Sequence, residues 1–249
     1  MVLHIPGHQK ECNEITGQVP HDITPKMADS YHTLGDTQQA NGDFSSALQS
    51  KQRALDIRLK QFGERHSSIA DSYHTLGDTQ QAIGDFSSAL QSKQRALDIR
   101  LKLFGEEHSR TADSYHSLGD TQQAKGDFSS ALQSKQRALD IRLKLFGEEH
   151  SSTADSYHTL GDTQQAQGDI SSALQSKQRA LDIRLKLFGK EHPSTADSYH
   201  TLGDTQHAQG DVSSTLQSKQ RALDIRLKLF GNKPSSTADT LTKKNLKLF

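Results

Sequence analysis

The chain is predicted to be an all-α solenoid of paired helices, on three observations. A 42-residue unit occurs five times in succession. Tyr31, Tyr73, Tyr115, Tyr157 and Tyr199 stand one period apart, and SALQSKQRALDIRLK recurs unchanged at 46–60, 88–102, 130–144 and 172–186. Within each unit, apolar and small residues are spaced mostly by three and four, the helical period. Each unit also carries a Gly-Asp break between two such stripes, Gly42 and Asp43 in the first copy, and a further glycine, Gly63, at its end. A period of this length marks an architecture in which every unit buries its apolar face only against its neighbours. Such a molecule offers a long surface rather than a pocket, so a binding scaffold is expected and an enzyme is not.

Taken in chain order, residues 1–24 do not match the repeat and, with Pro6, Gly7, Gly17 and Pro20, are expected to be a flexible N-terminal segment. Five units follow at 25–66, 67–108, 109–150, 151–192 and 193–234, and residues 235–249 read as a partial sixth copy, one terminal helix without its partner. In the first unit a helix is expected over about 26–41, its start marked by Pro25; Pro193 falls at the same phase four periods later. Proline suits the first helical position, where its missing N–H costs nothing. Asp43 is placed to cap a second helix, which runs to Phe62 and stops at Gly63. Its basic last turns, with Arg58 and Lys60, complement the helix dipole. The buried stripes are expected at Ala28, Tyr31, Leu34 and Gly35 on the first helix, and at Phe44, Ala47, Leu48, Ala54, Leu55, Leu59 and Phe62 on the second. Gly35 in mid-helix costs about 1 kcal/mol relative to alanine. Its recurrence at Gly77, Gly119, Gly161 and Gly203 therefore points to close helix–helix contact.

Bulk composition narrows the classes. Apolar residues make up 32% of the chain, too few for an ordinary packed globule but enough for a core one side chain thick. Formal net charge is zero, which argues against a general polyanion binder. The single cysteine, Cys12, excludes a disulfide framework. The N-terminal residues have no apolar core of a signal peptide, and no apolar run is long enough to span a bilayer, so a reducing, cytoplasmic setting is expected.

Tyr31, Leu34, Gly35, Gly42, Asp43, Phe44, Ala47 and Ala54 together resemble the tetratricopeptide repeat: an aromatic, Leu-Gly, then Gly-Asp-aromatic, then two alanines seven apart. The 42-residue length and the long second helix ending in RALDIRLKLFGEEH are similar to the kinesin-light-chain and nephrocystin type. The resemblance covers about 25–239. It implies a right-handed superhelix with first helices lining a concave groove and second helices outside. Two departures stand out. The positions of Gln38 and Lys51 are usually aromatic, so polar residues there are expected to thin the core. The heptad coiled coil that joins a kinesin light chain to its motor is not found in this sequence, which argues against a motor-subunit role.

The resemblance also implies which residues line the groove. In the first copy these are Asp29, His32, Thr33, Asp36 and Gln39. The second copy gives Asp71, His74, Thr75, Asp78 and Gln81, and the third Asp113, His116, Ser117, Asp120 and Gln123. The fourth gives Asp155, His158, Thr159, Asp162 and Gln165, and the fifth Asp197, His200, Thr201, Asp204 and His207. Spacings of three and four place each set on one helical face. That face holds ten aspartates and neither lysine nor arginine of its own. The second helices carry Lys51, Arg53, Arg58 and Lys60 against one acid, Asp56. The expectation is an acidic inner face, a basic outer face, and a protein or peptide partner bearing Lys or Arg, steered by charge. A carboxylate clamp for acidic C-termini would need Lys, Arg and Asn in the groove, and is not expected. Near-identical units suit a repetitive partner or one held by avidity.

Thirteen histidines raise the question of metal. His32 and Asp36 are one turn apart, but neighbouring first helices lie on the order of 10 Å apart, too far to share an ion. A His–Asp hydrogen bond within one helix is expected instead, with no metal and no cofactor. Histidine titrates near pH 6–7, so release of a basic ligand below pH 6 is expected. His66, His108, His150 and His192, in the loops between units, read as turn and cap residues. No phosphate loop, nucleophile elbow or H-E-x-x-H motif occurs. Asp56 and the lack of aromatic platforms make nucleic acid an unexpected partner. The alternatives to an adaptor are a module that self-associates through its array ends and the sensing half of a larger protein.

Overall fold

A computed structural model describes residues 23–231, which form ten α-helices in five antiparallel pairs. They are α1 Ile23–Ala40, α2 Phe44–Phe62, α3 Ser67–Ala82, α4 Phe86–Phe104, α5 Ser109–Ala124, α6 Phe128–Phe146, α7 Ser151–Gln167, α8 Ile170–Phe188, α9 Pro193–Gln209 and α10 Val212–Phe230. Each helix packs against those before and after it in the chain, and these consecutive contacts hold the array. The result is an all-α, right-handed solenoid of helix-turn-helix units. The expected terminal helix over 235–249 lies outside the described residues, as does the expected N-terminal segment apart from its last two positions.

The local signals act as expected. Asp43, Asp85, Asp127, Asp169 and Asp211 cap the second helices, each accepting from the backbone N–H three residues on at 3.0–3.1 Å. Hydrogen bonds from Ser46 hold the Asp43 carboxyl below the usual carboxylate range. The second helices end at glycines; Gly63 has φ 69°, a conformation that disfavours a side chain. One boundary differs. The first helix begins at Ile23, two residues before Pro25, which sits inside the first turn where backbone N–H groups have no intrahelical partner. Pro193 does stand at the first helical position.

The core is built from small residues. Ala28, Ala47, Ala54 and their counterparts are fully buried, which lets the helices approach closely. At the α2–α3 junction Leu55, Ile69 and Leu76 form a buried cluster, with Leu48, Leu59, Tyr73 and Ile99 packed on it. From the third unit on, threonine replaces Ile69. Thr111, Thr153 and Thr195 are fully buried and donate to the carbonyls of Gly105, Gly147 and Gly189 at 2.8–2.9 Å. Two expected core positions are exposed. Among the described residues no unit precedes Leu34 to cover it, unlike buried Leu76, and Phe62 lies at the surface, stacked on His66 at 4.4 Å.

Candidate functional site: the first-helix face

The five first helices present the same row of side chains, one period apart, on α1, α3, α5, α7 and α9. In the third unit Asp113, His116, Asp120 and Gln123 share one face of α5. His116 Nε2 lies 3.5 Å from Asp120 Oδ2, and the same His–Asp pair recurs at His32–Asp36, His74–Asp78, His158–Asp162 and His200–Asp204. The expected pairing of His with Asp within one helix is found as a close contact at 3.5–3.6 Å, longer than a hydrogen bond. Among the described residues no group of three or more His, Cys, Asp or Glu is placed to hold a metal ion.

The charge balance of this face differs from the expectation. The second helices were read as turning Lys51 and Arg58 outward, yet both are buried and reach through the layer to the first-helix aspartates. Lys51 is 3% exposed and its Nζ lies 2.9 Å from Asp36 Oδ1. Lys93 meets Asp78 at 2.9 Å, Lys135 meets Asp120 at 2.8 Å, Lys177 meets Asp162 at 2.9 Å, and Lys219 pairs with Asp204. The arginines do the same one step along. Arg58, Arg100, Arg142 and Arg184 bond Asp29, Asp71, Asp113 and Asp155 at 2.8 Å, and Arg226 bonds Asp197 at 2.9 Å. Two aspartates per unit are thus matched by one lysine and one arginine. The face is neutral when its histidines are neutral, and the acidic groove is corrected to a row of carboxylates balanced from behind. The outer lysines are also partly matched, since Lys144 bonds Glu107 at 2.8 Å and Lys186 bonds Glu149 at 2.9 Å. The carboxylates stay accessible; the Asp113 and Asp155 side chains are more than half exposed.

Polar networks complete the burial of the cations, as a buried charge requires. Gln39 Oε1 accepts from Lys51 Nζ at 2.7 Å and from Thr79 Oγ1 of the next unit at 2.7 Å. Gln81, Gln123 and Gln165 repeat this bridge to Thr121, Thr163 and Thr205. Arg58 Nη1 donates to Ser72 Oγ of the next unit at 2.6 Å. Gln38 Oε1 accepts from Ser50 at 2.8 Å. The polar residues at the Gln38 and Lys51 positions, expected to thin the core, thus fill it with hydrogen-bonded side chains.

This corrects the reading of four site positions. Gln39, Gln81, Gln123 and Gln165 are structural bridges between units as much as groove residues, while His207 stands at their phase in the last unit. Lysine and arginine belong to the site and were missed. A signal existed: Ala47, Lys51, Ala54 and Arg58 are spaced four, three and four, the phase of a buried seam, and Lys51 lies opposite a glycine.

Four of the groove histidines are shifted. Burial pushes His32, His74, His116 and His158 below their usual value of 6.5, opposed by the neighbouring aspartate and reinforced by the arginine and lysine behind it. Nδ1 of His32, His116 and His158 is buried without a partner among the described residues. Protonation there would bury an N–H with no acceptor, which disfavours the charged ring. These four rings are therefore expected to titrate below the ordinary histidine value. The loop histidines are caps: Nδ1 of His66, His108, His150 and His192 accepts from the second residue on at 3.1–3.2 Å, and each ring stacks on the preceding phenylalanine.

Comparison with known proteins agrees with this architecture. The crystal structure of a Podosopora anserina kinesin-light-chain candidate with nearly identical TPR-like repeats is 27% identical, with TM-score 0.73, covering 83% of this chain and 98% of that one. BtubC (BKLC) from P. vanneervenii is 25% identical, with TM-score 0.74, covering 85% and 84%. A Rap protein complexed with Competence and Sporulation Factor shares the fold at 16% identity and TM-score 0.63, covering 80% of this chain and 54% of that one. Among curated proteins no sequence matches. The tetratricopeptide repeat profile matches residues 26–102, 89–144, 134–186 and 173–228. Five helix pairs, their glycine and alanine contacts, and this match across most of the chain place it in the tetratricopeptide repeat family.

Proposed function

We propose that the array is a non-enzymatic protein-interaction scaffold that takes an extended or helical peptide segment bearing Lys or Arg along its first-helix face. The observation that carries the reading is the fivefold row of accessible carboxylates. Among the described residues, Asp113 and Asp155 bond through Oδ1 alone, leaving Oδ2 as an acceptor for an incoming donor. Because buried cations balance the charge, recognition rests on short charge-assisted hydrogen bonds rather than on long-range attraction. Membership of the tetratricopeptide repeat family supports the role of protein-interaction scaffold. The uniform rungs favour a repetitive partner held by avidity. No helix among the described residues is long and apolar enough to cross a membrane.

The test is capture of basic, neutral and acidic peptides at low and moderate salt. The wild type is compared with a variant in which Asp71, Asp113 and Asp155 become asparagine while Arg100, Arg142 and Arg184 become methionine. This variant removes carboxylates and buried cations together, so each unit stays neutral. Selective capture of basic peptides, lost in a variant of unchanged helicity, supports the reading. Equal capture by both proteins, or none by either, refutes it.

A further inference from the structure

We propose that the two ends of the array are the separated halves of one more inter-unit junction, so that copies of this chain join head to tail. Inside the chain, each junction buries a leucine from a second helix against the following first helix. Leu55 is 2% exposed and Leu76 5%, and the later junctions repeat this with Leu97, Leu139 and Leu181 against Leu118, Leu160 and Leu202. The same phases at the ends are Leu223 on α10, 49% exposed, and Leu34 on α1, 46% exposed. Met27, at the phase of fully buried Ile69, is exposed as well, and so are Leu216 and Leu227 on α10.

The polar partners are split in the same way. Arg58, Arg100, Arg142 and Arg184 each donate to a serine of the next unit at 2.6–2.7 Å. Arg226 keeps its aspartate, but its side chain is 41% exposed, and among the described residues no serine meets it. Among the described residues Ser30, at the phase of Ser72, only donates to the Lys26 carbonyl. Thr37, at the phase of Thr79, meets no cross-unit glutamine among the described residues and there bonds only the Thr33 carbonyl.

The remaining chain supplies a poorer partner for α10 than a second copy does. Thr237, Ala238 and Asp239 follow the repeat, but at the phases of Leu202, Gly203 and Thr205 the sequence carries Lys244, Asn245 and Lys247. A lysine at the leucine phase would join Lys219 and Arg226 in one junction. α1 of a second copy brings Leu34, Ser30 and Thr37, the residue types that every internal junction uses. The occupant is therefore a second copy, seated in the register of the internal units. Such a contact uses different surfaces on the two partners, so it continues the superhelix as an open filament unless the rotation closes.

Sedimentation velocity on the full chain from micromolar to millimolar concentration tests this, with Leu34→Asp and Leu223→Asp blocking one end each at exposed positions. The wild type is expected to grow in mass with concentration and to pass beyond dimer. Each variant alone stays monomeric, and an equal mixture forms a dimer and nothing larger, because the mixture holds one intact end of each kind. The mixed dimer also shows that both variants are folded. A wild type that stays monomeric throughout, a dimer from either variant alone, or a mixture that fails to pair overturns the proposal.

Discussion

Gly119 and Lys135 occupy one space: a Cβ on Gly119 would stand 2.8 Å from Lys135 Cγ and 3.2 Å from the Ala131 carbonyl oxygen. The missing side chain on α5 is the channel through which the α6 lysine passes to Asp120. The same relation holds between Gly35 and Lys51, Gly77 and Lys93, and Gly161 and Lys177.

Gly119→Ala should therefore destabilise the chain, although helix propensity alone favours alanine by about 1 kcal/mol. Overpacking against the lysine stem is expected to outweigh that gain, for a net loss of about 1–2 kcal/mol. Gly119→Ala with Lys135→Ala should recover part of it. Urea titration followed by circular dichroism measures both, and an alanine variant as stable as wild type would show that the lysine moves aside freely.

The ion pair should be asymmetric. Asp120→Ala leaves a buried ammonium with Gln123 as its remaining side-chain partner, and is expected to cost about 3 kcal/mol. Lys135→Met leaves only an accessible carboxylate, which water can solvate, and keeps the aliphatic stem; a loss under about 1.5 kcal/mol is expected. Urea midpoints of the two variants compared side by side decide the order, and the reverse order would mean the lysine is not effectively buried.

His150 does two jobs at the start of α7, capping the Ser152 N–H at 3.1 Å and stacking on Phe146 at 4.4 Å. His150→Asn keeps a capping side chain and loses the stack, for a cost of about 1 kcal/mol. His150→Ala loses both and should cost about 2 kcal/mol. Thermal unfolding of the pair of variants separates the two contributions; equal losses would mean that the cap contributes nothing.

Stability should fall with acid through the groove histidines. Their folded values lie below 6.5, so below that pH the unfolded chain binds protons more readily than the folded one. The contribution is complete above about pH 6.5 and is lost as pH falls through the depressed folded values. The groups around each ring are the aspartates on its own helix and the lysine and arginine from behind, Asp113, Asp120, Lys135 and Arg142 for His116. Replacing His74, His116 and His158 by glutamine should flatten the urea midpoint between pH 7.5 and 5. An unchanged slope would place the acid sensitivity elsewhere.

The sequence by itself determined the helices, their pairing and the array. Period, Asp caps, terminal glycines and the Ala47–Ala54 spacing are local or repeating signals, and each unit meets only its neighbours, so little long-range information is needed. It also marked the aspartate and histidine face, since residues at steps of three and four on a helix must share a side. Only the tertiary structure decided the charge of that face. Lysine was read as a surface residue because an isolated ammonium is costly to bury, yet Lys51 is buried because Gly35 opens a channel and Asp36 and Gln39 wait at its end. That outcome depends on two helices meeting at one height, which no single helix encodes. The ends were likewise undecided in the sequence: Leu34 and Leu76 sit at the same phase, and only their place in the array leaves one exposed and the other buried.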